Sequence, residues 1–166
     1  MHRSWLSFVF LVWSCGNISF DVEQALPEQT VPGNPLGAVL PAVLLDSVHF
    51  TIDVKAEVAK RGTGPATSAT LADLRLFITP HQEPVGTFDF LQEIHLFAEA
   101  TGHPKVEIAK LTSVPRGQTT VIFDVVPRVD LLPYINAGAA ITATATGSQP
   151  PRETKFDGKI VVKIRI

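Results

Sequence analysis

Hydrophobic residues in this chain recur at every second position, in one short run after another, and that period constrains the fold more than any other feature. The end of the chain shows it plainly. Ile160, Val162, Ile164 and Ile166 alternate with Val161, Lys163 and Arg165. A period of two turns one face of an extended strand toward an apolar interior and the other toward water. Residues 48–58 carry the cleanest such alternation, with Val48, Phe50, Ile52, Val54, Ala56 and Val58 set against His49, Thr51, Asp53, Lys55 and Glu57. Further strands are predicted over 18–22, over 69–79 with Leu74, Leu76 and Ile78 on one face, and over 94–98. Others follow over 105–111 with Val106 and Ile108 inward, over 118–126 with Val121, Phe123 and Val125 on one side, and over 140–146. Gly33-Asn34-Pro35 and Arg61-Gly62-Thr63-Gly64-Pro65 read as turns, and Asp157-Gly158 as a hairpin turn before the last strand. Single helical turns are expected within 87–93 and 127–135, the second limited by Pro133. Seven to nine short strands without a long amphipathic helix predict an all-β fold, an antiparallel two-sheet β-sandwich, with a closed β-barrel as the alternative.

Pro27, Pro32, Pro35 and Pro41 punctuate residues 24–46, and within that stretch 36–45 is strongly apolar. It is expected either to close one end of the core or to touch lipid or a partner, with Leu36, Val39, Leu40, Val43 and Leu44 as the contact residues. The chain divides on this reading into a leader over 1–14, a start segment over 15–46 and a sandwich over 47–166. Formal net charge is −2 and no lysine or arginine run occurs, which argues against a nucleic-acid partner. Both tryptophans, Trp5 and Trp13, precede the strands, and Tyr134 is the only tyrosine, which weighs against a carbohydrate-binding face. With Cys15 as its only cysteine, the domain has no disulfide framework and must be held by its core.

The first residues have the parts of an export signal: Arg3, an apolar run from Trp5 to Trp13, then small residues. Val12-Trp13-Ser14-Cys15 resembles the lipobox of bacterial lipoproteins. Val12 stands three before the cysteine and Ser14 one before it, as that class requires, whereas Trp13 is larger than usual there. The resemblance covers residues 1–15 and implies that Cys15 becomes a lipidated first residue. It further implies attachment to a membrane of the cell envelope, with Gly16 after the cysteine pointing to the outer membrane. Cleavage after Gly16 would instead release a secreted or periplasmic protein. The apolar run is too short to span a bilayer.

Catalytic patterns are sparse. His49, His81, His95 and His103 show no zinc-like spacing, and no H-E-x-x-H or G-x-S-x-G occurs. Asp53, Asp73, Asp89, Glu93, Asp124 and Asp130 are spread without a reason to pair any two. Asp89, Asp130 and Asp157 are weak calcium candidates at loop ends. No catalytic residue, metal, cofactor or small-molecule substrate is therefore expected. The expected function is that of an exported, membrane-anchored lipoprotein with a non-catalytic sandwich in a structural, adhesive or envelope-accessory role, with an envelope protein as partner. The alternative is a soluble secreted sandwich that binds an apolar ligand.

Overall fold

The computed structural model describes residues 18–36, 43–49, 51–80 and 85–166. Nine strands form two sheets: β1 (Ser19–Val31), β2 (Val43–His49), β3 (Ser68–Ile78), β4 (Leu91–Ala100), β5 (His103–Leu111), β6 (Thr120–Ile122), β7 (Asp124–Val125), β8 (Ala140–Gly147) and β9 (Thr154–Arg165). One sheet runs β1-β9-β3-β6 and the other β2-β8-β4-β5-β7, and every pairing is antiparallel. The fold is the β-sandwich that the period-two pattern predicts, and its sheets do not close into a barrel. The orders β1-β9-β3-β6 and β2-β8-β4-β5 are those of a jelly roll, with β7 added beside β5.

The alternation explains the core directly. On β9, Phe156, Ile160, Val162 and Ile164 are fully buried, and Leu74 and Leu76 on β3 join them from the same sheet. Ile94 and Leu96 on β4, Ile108 on β5 and Ile141 on β8 meet them from the other. At about 25 cal/mol per Å² of apolar surface removed from water, this interface is the main stabilising term. On β3 the buried positions switch from Ala69 and Leu71 to Leu74, Leu76 and Ile78, and the pairing with β9 shifts between Leu71 and Asp73. A β-bulge absorbs the extra residue, and the three-residue gap from Leu71 to Leu74 is its trace in the sequence.

Four local expectations differ from the structure. Residues 54–60 form a helix, α1 (Val54–Lys60), rather than the second half of a strand. Val54 and Val58 suit both periods, being four apart, and Asp53 decides between them: its carboxylate accepts from the Ala56 N–H at 2.9 Å as an N-cap. The first strand spans thirteen residues instead of five, its register shifting between Leu26 and Gln29 around Pro27. Asp157-Gly158 lies inside β9 rather than at a turn. A Cβ on Gly158 would stand 2.7 Å from the Arg75 carbonyl oxygen and 2.9 Å from Leu26 Cδ1, so glycine is required where three strands approach closely. Residues 118–126 divide between sheets: β6 pairs with β3 and β7 with β5. Phe123 sits at the crossing, its N–H bonded to the Leu74 carbonyl, and is 5% exposed.

Short helices plug the two ends of the sandwich. A single 3-10 turn, Phe88–Phe90, seats Phe88 against Phe156 with ring centroids 6.0 Å apart. At the opposite end lies α2 (Leu132–Asn136), where the Tyr134 hydroxyl donates to the Pro104 carbonyl at 2.8 Å. Both lie where the sequence predicts single helical turns.

Candidate functional site

The loop between β3 and β4 and the loop between β8 and β9 enclose a cavity of about 310 Å³ at the Phe88 end. Phe90 and Thr154, 4% and 5% exposed, lie deep in it, and Val85 and Pro151 form exposed walls. Asp89, Arg152 and Glu153 bring charge to the lining.

Backbone bonds from several parts of the chain hold these loops. The Ser148 N–H donates to the Phe90 carbonyl at 3.0 Å, and the Phe88 N–H to the Gln118 carbonyl at 2.8 Å. The Asn34 N–H, just after β1, donates to the Pro150 carbonyl at 2.7 Å. Gly33 packs directly on the backbone of Arg152 and Glu153, where any Cβ would clash. Asp89 accepts from the Gly117 N–H at 2.6 Å, which ties the 3-10 turn to the loop after β5. The lining thus combines apolar residues, Phe90, Val85 and Pro151, with polar and charged ones.

A second polar cluster covers the outer face of the β2-β8-β4-β5-β7 sheet. His95 lies between two carboxylates, with Nε2 2.8 Å from Glu93 and Nδ1 3.0 Å from Glu107. Hydrogen bonding to Glu93, then to Glu107, raises the imidazole pKa above its ordinary 6.5. Beside it, Glu99 accepts from Lys105 and from the Thr142 hydroxyl, each at 2.6 Å, and is held below the usual carboxylate range by them in that order. The Lys105 ammonium lies 4.5 Å from the Phe97 ring centroid. The spacing Glu93-x-His95 puts both side chains on one strand face and was the available sign of this cluster. Its third member, Glu107, comes from β5 and is visible only once the strands pair.

The other sequence candidates separate. Cys15, Val39, Leu40 and His81 lie outside the described residues. Leu36 is 93% exposed, and its N–H bonds the Asn34 side chain in the turn after β1, at the cavity end. Val43 and Leu44 begin β2; Val43 pairs with Thr144 and Leu45 with Ala143, so the register slips at Leu44. His49 pairs with Ala140 and His95 with Thr144, so β8 places them four residues apart along the sheet. His103 lies tilted against Tyr134, with ring centroids 5.1 Å apart. Asp130 accepts from the Ala69 and Leu132 N–H groups, and Asp157 faces Phe77 within the sheet. No group of three or more metal-ligand side chains assembles among the described residues.

No protein-family model matches this chain, and no curated protein matches it. Among solved structures it is similar to the decameric BFDV capsid protein, with a TM-score of 0.47 and 9% sequence identity over 91% of this chain and 100% of that one.

Proposed function

We propose that the protein is an exported lipoprotein, anchored through Cys15, whose sandwich is a non-catalytic structural, adhesive or envelope-accessory module. The observation that supports this reading is the lipobox-like Val12-Trp13-Ser14-Cys15, with which the polarity of the molecule is compatible. The first described residue, Ile18, accepts from the Ile166 N–H at 2.9 Å, only three residues after Cys15. The cavity and Leu36 lie at the other end of β1, roughly 40 Å away for a strand of this length. An acylated Cys15 therefore holds one end of the sandwich at a membrane and presents the other outward. Acyl chains suffice for this, at about 0.8 kcal/mol per buried CH₂. Leu36 then serves a protein partner rather than the same lipid surface.

Metabolic labelling with a clickable fatty acid tests the anchor. Wild type takes up label and Cys15→Ala does not; equal labelling of the two ends the reading. The cavity favours a second reading, a soluble secreted module released after Gly16 that binds an apolar ligand at the loop end. Mass spectrometry separates the two, since release leaves Asn17 as a free N-terminus.

A further inference from the structure

Cations gather at the end of the sandwich where the N-terminal segment joins it. Lys60 and Arg61 close α1, and the Arg61 guanidinium lies 4.0 Å from the Phe20 ring centroid, one residue into β1. Arg165 is exposed in the last pair of β9, opposite Ser19 on β1 and Ser68 on β3. Arg128 is exposed in the loop that brings the Leu131 N–H to the Ala69 carbonyl at 2.6 Å. Lys105 stands just beyond the β4–β5 turn.

Of the carboxylates at this end, Glu57 is shared by Lys60 and Arg61 and Glu99 is paired with Lys105, whereas no ion pair among the described residues engages Asp21, exposed on β1. Asp130 accepts two backbone N–H groups. No ion pair among the described residues engages Arg128 or Arg165. Ile18, 56% exposed, stands at the same end.

We propose that this end docks on anionic phospholipid headgroups, with Arg128, Arg165 and Lys60 as the contacting cations and Ile18 at the interface. The proposal rests on the Cys15 anchor and gives it a lipid preference. Three residues from Cys15 to Ile18 reach at most about 11 Å. That is close to the Debye length of about 10 Å at 0.1 M salt, so a lipidated Cys15 brings Ile18, and Arg165 opposite Ser19, near the surface potential. A cation near an anionic surface contributes about fivefold in affinity. At roughly 40 Å, the cavity end lies outside that field.

Co-sedimentation of the full-length protein with phosphatidylcholine vesicles, with and without phosphatidylglycerol, tests the docking face. Phosphatidylglycerol increases wild-type binding. The triple variant Lys60→Gln, Arg128→Gln, Arg165→Gln loses roughly a hundredfold of that increase. The variant Lys110→Gln, Arg116→Gln, Lys155→Gln makes the same change in net charge away from this end and keeps the increase. Equal loss in the two triple variants overturns the docking face, and so does loss in neither. Fatty-acid labelling of the same preparations scores the anchor separately. Label without a phosphatidylglycerol preference removes the docking face and leaves the anchor. A preference that tracks the first triple variant without label removes the anchor and leaves the face.

Discussion

Gly158 carries a constraint that its neighbour conceals. Asp-Gly is a strong hairpin signal in a sequence, yet here the pair lies inside β9, between β1 and β3. Adding one methyl group there forces the Arg75 backbone, Leu76 and Leu26 apart. Gly158→Ala is expected to cost about 3 kcal/mol, near the upper end for overpacking, read from the denaturant midpoint at unchanged slope. A midpoint equal to wild type would show that β9 yields there. His95 makes a different kind of contribution. Bonding to Glu93 and Glu107 raises its folded pKa above the unfolded value, so its stabilisation is fully present below about pH 6.5. It is lost as pH rises through the raised folded pKa. Lys110 stands opposite His95 on β5. The difference in Tm between wild type and His95→Gln should therefore shrink from about pH 6 to about pH 9. A difference that grows with pH would contradict the carboxylate clamp.

Among the elements, α1 is the most dependent on a single side chain. Seven residues are too few for a helix to persist alone, so α1 depends on burial of Val54 and Val58 and on the Asp53 cap. Asp53→Ala should cost about 1 kcal/mol, with Asp53→Asn recovering most of it, as measured by urea unfolding. The same helix shows where sequence reading stops. Strands with one wet face announce themselves: β8 alternates Ala and Ile with Thr, and β9 alternates apolar residues with Lys and Arg. An apolar spacing of four serves a helix and a two-period strand equally, so residues 48–58 are ambiguous until the Asp53 cap is seen. Pro27 hides most of β1 because proline ordinarily argues against a strand, and it is tolerated because β1 is an edge strand with a bulge there. The cavity left no signal at all. Phe90, Arg152 and the bracing turn at Asn34 belong to three loops, brought together only by the sandwich.

At the scale of the whole molecule, the sandwich has a cationic end beside its N-terminal strand and a cavity end away from it. No disulfide is available to hold it, so the two-sheet core must do so alone. The pairing of β1 with β9 has a further consequence, in time rather than in space. Ser19 pairs with Arg165, so the first residue of this strand can pair only after Arg165, 146 positions further along the chain, has been made. At about 5–20 residues per second, β1 waits on the order of ten seconds on a ribosome before its sheet can close. Such distant pairing also makes folding slow once the chain is complete. Under the export proposed above, a chain threaded open through a secretion channel would be kept open by this topology, and closure of the sheet would fall after crossing.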